Sequence, residues 1–230
     1  MNRLRSLLFV ATFYPATLLF IAAGLGAGLF STPAMLAVVH NWARTHRWLA
    51  EHVLKIRTRV EGAIPPGPCL IAVKHQSMYE TIEMVLIARS PVIVLKRELA
   101  DMPLFGRMTR RYGVIPVDRE AGARALREML AGAKRAAATG RPVIIYPEGT
   151  RVPPGETPPL RAGFAGLYRA LGMPVVPVAH DSGHVFGRGL DKRGGTVRFL
   201  VGEMIPPGLK REEIEARVHS AINALERSAP

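Results

Sequence analysis

From residue 56 onward, short runs dense in valine and isoleucine alternate with stretches of helical pattern, and this alternation constrains the fold more than any other feature. The runs are Cys69–Val73, Val92–Leu95, Val114–Val117, Pro142–Tyr146, Val175–Val178 and Val197–Val201. Helices are predicted between them over Ser77–Ala88, Pro103–Tyr112, Glu120–Ala138 and Ala162–Leu171, with a last one over Glu212–Leu225. Near-continuous apolar strands separated by helices argue for strands buried on both faces of a sheet and joined by helical crossovers. The pattern predicts an α/β domain over residues 56–230, a mostly parallel sheet flanked by helices. Ligands of such sheets gather at the carboxyl ends of the strands. The chain has no internal repeat; residues 152–159 form a proline-rich loop and residues 183–195 a glycine-rich one.

Residues 1–55 have a different character. Leu7 to Phe30 is a run of 24 residues without a charge, and about 20 apolar residues suffice to span a bilayer as a helix. The run is longer than the ~7–15 residues of a signal-peptide core, although Pro15, Gly24, Gly26 and Gly28 should loosen a helix there. Ser31-Thr-Pro33 reads as a turn and cap, followed by an amphipathic stretch from Ala34 to Leu49. Arginine or lysine stands on both sides (Arg3, Arg5; Arg44, Arg47, Lys55, Arg57), and no acid occurs in the first fifty residues. Positive flanks at both ends favour a membrane-anchoring two-helix segment with both flanks on the cytoplasmic side, a hairpin within one leaflet.

The formal net charge of +13 fits an anionic partner surface. Aromatic residues make up only 7% of the chain and no nucleic-acid-binding motif is present, so the partner expected is membrane lipid and not nucleic acid. The single cysteine, Cys69, lies in an apolar run and reads as a buried strand thiol. His40, His46, His52 and His219 carry no functional reading.

Four motifs, the second of them in two parts, fall at or near strand ends. The segment 74–80 (KHQSMYE) follows the first run and places His75 where a helix begins. Glu80, five residues on, lies about 140° away on a regular helix; the two meet only if His75 stands outside the helix with its ring folded back. A carboxylate there would hold the imidazole in one tautomer for work as a general base; alternatively His75 and Ser77 merely cap the helix. Residues 96–106 (KRELADMPLFG) follow the second run, Val117-Asp-Arg119 ends the third, residues 146–151 (YPEGTR) end the fourth, and Val176-Pro-Val178 lies within the fifth. Lys96, Arg119 and Arg151 are thereby delivered towards one side of the sheet, an arrangement suited to a phosphate monoester. Gly149 leaves room for backbone to approach that anion.

In this order the motifs resemble those of the 1-acyl-sn-glycerol-3-phosphate acyltransferases, the glycerolipid acyltransferases that make phosphatidic acid. That family's pattern is H-x4-D, then K/R-x-x-L-x-x-x-P-x-x-G with a downstream arginine, then F/Y-P-E-G-T-R, then V-P-I/V. Here Lys96, Leu99, Pro103 and Gly106 match the second block, with Arg119 downstream. Tyr146–Arg151 match the third and Val176–Val178 the fourth; Glu80 stands where the family has aspartate.

The resemblance implies that His75 takes the proton of the free hydroxyl of a lysophosphatidic acid, whose oxygen then attacks an acyl thioester. It also implies that Glu80 orients His75, that Lys96, Arg119 and Arg151 hold the phosphate, and that Glu148, Gly149 and Thr150 shape the acceptor pocket. Backbone N–H groups near the helix start are the expected oxyanion donors. The donor substrate would be acyl-CoA or acyl-carrier protein, with no cofactor and no metal, at the cytoplasmic face of the inner membrane. His180, Asp181 and His184 read as ordinary loop polars, and Ser77 lacks the setting of a nucleophile. The alternatives are a different lyso-lipid acceptor such as lyso-ornithine lipid, a silent membrane-binding module, and a phosphohydrolase, for which a nucleophile or metal cluster is missing.

Overall fold

A computed structural model describes residues 2–118 and 122–226. The chain opens with helices α1 (Asn2–Phe30) and α2 (Thr32–Leu49), continued by a π-helical turn at Ala50–Leu54. Strands β1 (Ile56–Glu61) and β2 (Leu70–Val73), helix α3 (Tyr79–Ile87), strand β3 (Val92–Lys96) and helices α4 (Arg97–Ala100) and α5 (Phe105–Tyr112) follow. Then come β4 (Ile115–Val117), α6 (Gly122–Ala137), β5 (Val143–Ile145), α7 (Gly163–Leu171), β6 (Val175–His180), β7 (Gly195–Val201) and α8 (Arg211–Ile222).

The seven strands form one sheet in the order β1-β7-β6-β2-β5-β3-β4. All pairs are parallel except β6–β7. Strand β2 is central, between β6 and β5, and every residue of it is buried. Its carboxyl end therefore opens beside those of β5 and β6, the three segments that carry the first, third and fourth motifs. The end of β3 lies beyond β5, two strands from β2 and so roughly 10 Å away at ordinary strand spacing.

Two differences from the sequence reading have physical causes. The predicted helix Pro103–Tyr112 begins two residues later, at Phe105, and a separate short helix, α4, that the pattern did not predict precedes it; Pro103 lacks an N–H and restricts the residue before it, and the chain turns through Leu104, at φ 59°. Strand β1 has no counterpart among the predicted runs. Its sequence, IRTRVE, is mostly solvent-facing, and as an edge strand it pairs only with β7.

The N-terminal helices pack on each other and on the α/β domain. Helix α1 runs unbroken across Pro15, Gly24, Gly26 and Gly28. At Gly24 the Met108 side chain of α5 occupies the space a Cβ would need, with its Cε 2.7 Å from that position, so small size there lets two helices approach. Ser31 caps α2 by accepting the Ala34 N–H at 3.2 Å. Phe9 and Phe13 of α1 are buried in the main core with Tyr79 and Phe186. The other flank of α1 is apolar and exposed, through Leu4, Leu7, Leu8, Leu18, Leu19, Leu29 and Phe30. Helix α1 alone, among the described residues, is long and apolar enough to cross a membrane. A polar tie also joins the two parts: Arg47 of α2 donates through Nε and Nη2, at 2.8 and 2.6 Å, to Oε2 of fully buried Glu83 on α3.

Candidate active site

His75 stands between the end of β2 and the start of α3, with Glu80 on the first turn of that helix. The ring folds back as the spacing required, and His75 Nδ1 lies 2.8 Å from Glu80 Oε1. A carboxylate can only accept, so Nδ1 carries the proton and Nε2 is the ring's lone-pair nitrogen. The imidazole lies against the Tyr146 ring, centroids 4.4 Å apart, and 11% of its side chain remains exposed.

Glu80 is fully buried and surrounded by donors. Oε1 also accepts the Gln76 N–H at 3.0 Å and the Ser77 N–H at 2.9 Å; Oε2 accepts the hydroxyls of Ser77 and Ser182, each at 2.7 Å. Burial alone would raise this carboxyl. The imidazoles of His180 and His75 and the Ser77 hydrogen bond outweigh it and hold the group below the usual carboxylate range. Burial pushes His180 the other way, down from the ordinary histidine value. Its Nε2 faces the Lys74 carbonyl at 2.6 Å and its Nδ1 accepts the Ser182 N–H at 3.3 Å, which fits a neutral ring protonated at Nε2. With His180 neutral, the hydrogen-bond donors carry the effect on Glu80.

The loop after β5 holds the backbone of His75. Glu148, 2% exposed, accepts the His75 N–H through Oε2 at 2.7 Å, and the Val152 N–H donates to the His75 carbonyl at 2.7 Å. Glu148 Oε1 pairs with Lys74 Nζ at 2.8 Å, both side chains having no exposure. Lys74 Nζ donates further to Asn223 Oδ1 on the end of α8 and to the Glu156 carbonyl, each at 2.7 Å. Gln76, on the other side of His75, reaches Glu226. The carboxylate of Glu148 is thus turned inward, and it acts on an acceptor pocket only through His75. Gly149 takes φ 72° and closes a turn by donating its N–H to the Tyr146 carbonyl. Thr150 and Arg151 are exposed.

A cleft of about 340 Å³ opens beside this loop. One wall is apolar, from Phe9, Val10 and Tyr14 of α1 and from Phe186; Gln76–Met78 and Arg151 also line the cleft. Lys96 is not among its lining residues; at the end of β3 it pairs with Glu98 at 2.7 Å. Arg119 lies outside the described residues. The N–H groups of His75, Gln76 and Ser77 are all committed to Glu148 and Glu80, and that of Tyr79 to the Ser77 hydroxyl. These four N–H groups at the helix start are therefore already in use.

The sequence reading passed over Lys74, Ser182 and Asn223, and it took His180 for a loop polar, whereas His180 is the buried last residue of β6. Lys74 and His180 adjoin motifs and could have drawn attention; Ser182 and Asn223 have no local signal. Ser77 ligates Glu80 with its hydroxyl. Asp181 accepts from Arg198 Nε at 2.7 Å, and His184 is exposed. Cys69 is buried, which pushes its thiol up to about 11.

The family model described as Acyltransferase matches residues 55–181, more than half of the chain, from the start of β1 through the β6 exit. The chain belongs to the acyltransferase family. Among its relatives is a 1-acyl-sn-glycerol-3-phosphate acyltransferase of Pseudomonas aeruginosa, 36% identical over 168 residues, which are 72% of this chain and 65% of that one. The human 1-acyl-sn-glycerol-3-phosphate acyltransferase beta is 30% identical over 162 residues, 69% of this chain and 58% of that protein. The chain thus spans somewhat less than two thirds of the length of these two relatives. The crystal structure of the 1-acyl-sn-glycerophosphate acyltransferase PlsC from Thermotoga maritima superposes with a TM-score of 0.81 at 20% identity, covering 99% of this chain and 97% of that one. The chain shares that overall fold.

Proposed function

We propose that this acyltransferase transfers a fatty acyl group from an acyl thioester to the sn-2 hydroxyl of a 1-acyl-glycerol 3-phosphate, giving phosphatidic acid. The observation that carries this reading is the His75–Glu80 contact at 2.8 Å beside a cleft that combines a cation, Arg151, with an apolar wall. His75 Nε2 takes the hydroxyl proton while Glu80 steadies the ring and stabilises the imidazolium that forms. The freed oxygen attacks the thioester carbonyl and a C–O bond forms. The C–S bond then breaks, and the thiolate, whose conjugate acid has a pKa of about 8.5, leaves with little proton assistance.

Arg151 holds the acceptor's phosphate by a charge-assisted fork. Lys96, outside the cleft, adds to the positive field of that sheet edge, and Arg119 is assigned to the phosphate by its motif. Acyl-CoA or acyl-carrier protein serves as the donor. The exposed apolar flank of α1 meets lipid at the cytoplasmic face of the membrane, so that a single-chain lipid reaches the cleft along that helix.

Purified protein supplied with lysophosphatidic acid and either acyl donor should form phosphatidic acid. A lyso-lipid lacking the phosphate, such as lyso-ornithine lipid, should be acylated far more slowly. Preference for the phosphate-free acceptor would overturn the assignment.

A further inference from the structure

Arg188 has no role in the motifs, yet the structure prepares a place for it. It stands in a short loop between Phe186 and Lys192, which form an isolated antiparallel bridge. Lys192 is mostly buried, and its ammonium lies 4.3 Å from the centroid of the Phe186 ring. The same ammonium donates to the Gly187 and Gly189 carbonyls, the two that flank Arg188. At Gly187 a Cβ would come within 2.6 Å of the Asp191 carbonyl, so the loop closes tightly only with glycine there. Phe186 packs in turn on Phe9 of α1, centroids 5.9 Å apart, and on Tyr79 beside Glu80. The loop's backbone is therefore tied to both the N-terminal helices and the catalytic helix.

Arg188 itself projects into solvent at the rim of the cleft that Arg151 and the 76–78 loop also line. Asp191, the carboxylate nearest in sequence, is paired with Arg193 at 3.2 Å. Among the described residues neither the Arg151 nor the Arg188 guanidinium has a hydrogen-bonding or ion-pair partner, and no aspartate or glutamate lines the cleft. A cleft with one apolar wall, two uncommitted guanidinium forks and no acid suits an amphiphile with an anionic head.

We infer that Arg188 is a specificity-determining residue which, with Arg151, clamps the phosphate of a single-chain phospholipid acceptor while the chain lies along Phe9, Val10 and Tyr14. The inference rests on the acyl transfer proposed above and adds a ligand from outside the family's motifs. The same chemistry would suit a phosphate of the acyl donor, so the test separates the two sources.

Equilibrium binding of a short-chain lysophosphatidic acid, the matching monoacylglycerol and CoA is measured for the wild type, Arg188→Ala and Arg188→Lys. Steady-state kinetics follow on the same proteins. Loss of one charge-assisted contact should weaken lysophosphatidic acid binding roughly tenfold in Arg188→Ala. KM for that acceptor should rise with kcat little changed, and binding of monoacylglycerol and CoA should hold. Arg188→Lys should recover part of the loss, a point charge replacing a fork. Unchanged lysophosphatidic acid binding overturns the inference, as does a loss confined to CoA, which would assign the arginine to the donor. Binding needs no turnover. A wild type that binds lysophosphatidic acid but transfers nothing to it would sink the proposed function and leave the clamp standing.

Discussion

The Ser182 hydroxyl lies 2.7 Å from Oε2 of Glu80, although the two residues are 102 positions apart. One comes from the exit of β6 and the other from the first turn of α3, so this contact ties the candidate dyad to the neighbouring strand. Glu80 is one methylene longer than an aspartate, and with more rotamers to restrain it needs its far oxygen held if its near one is to meet His75 squarely.

Ser182→Ala should therefore lower kcat by roughly tenfold, the scale of one hydrogen bond to a charged group, while KM for both substrates stays put. In a Glu80→Ala background the same change should add little, because the two residues act as a unit. Kinetics of the two single variants and the double variant check this; independent, multiplicative losses would show that the hydroxyl acts elsewhere.

Lys74 and Glu148 form an ion pair with no exposure on either side. Lys74→Met should leave a buried carboxylate without its cation and cost about 3–5 kcal/mol of folding free energy, as removal of one partner of a buried pair does. Lys74→Met/Glu148→Gln should regain part of that loss, since the introduced amide is uncharged and its oxygen could still accept the His75 N–H. Urea unfolding of the detergent-solubilised protein measures both; no difference between the single and double variants would contradict the account.

Arg47 ties the N-terminal helices to α3 through Glu83. Because the arginine keeps 38% of its side chain exposed, Arg47→Met should cost less than a fully buried pair, about 2 kcal/mol. If the two N-terminal helices were an independent anchor, unfolding would be unchanged.

The acid sensitivity of the fold follows from Glu80. Its carboxyl is held below the ordinary range in the folded state. The stabilisation it contributes is therefore complete above the unfolded value of about 4.3 and is lost as pH falls from there toward the folded pKa. Glu83 is lowered too: burial raises it, and His46 and Arg47 more than offset that. Glu80→Gln should be less stable than the wild type near neutrality but show a shallower loss of stability below about pH 4.3. Urea unfolding across that range checks the slope, and identical slopes would argue against an ionised Glu80.

What could be read from the sequence was local. All six apolar runs became strands because burial on both faces leaves a nearly unbroken apolar signature, as at Leu70–Val73. The His75–Glu80 contact was legible as a condition on spacing, since five residues suffice to describe it. The reversed direction of β7 was less plain: no α-helix separates it from β6, only a single 3₁₀ turn and a loop, and an antiparallel partner needs no helical crossover. Lys74 and Asn223, 149 positions apart, pair only because the end of α8 passes beneath the β2 exit. The inward turn of Glu148 was hidden for the same reason. Its motif names the residue, while its direction depends on a buried lysine one residue before His75.

The most direct test of the central claim is kcat/KM for lysophosphatidic acid in His75→Ala and Glu80→Asp beside the wild type, with folding confirmed by unfolding curves. The account predicts that His75→Ala loses at least a hundredfold, within the roughly 10²–10⁴ a positioned general base contributes, and that Glu80→Asp retains much of the rate. Wild-type activity in a folded His75→Ala variant would contradict it.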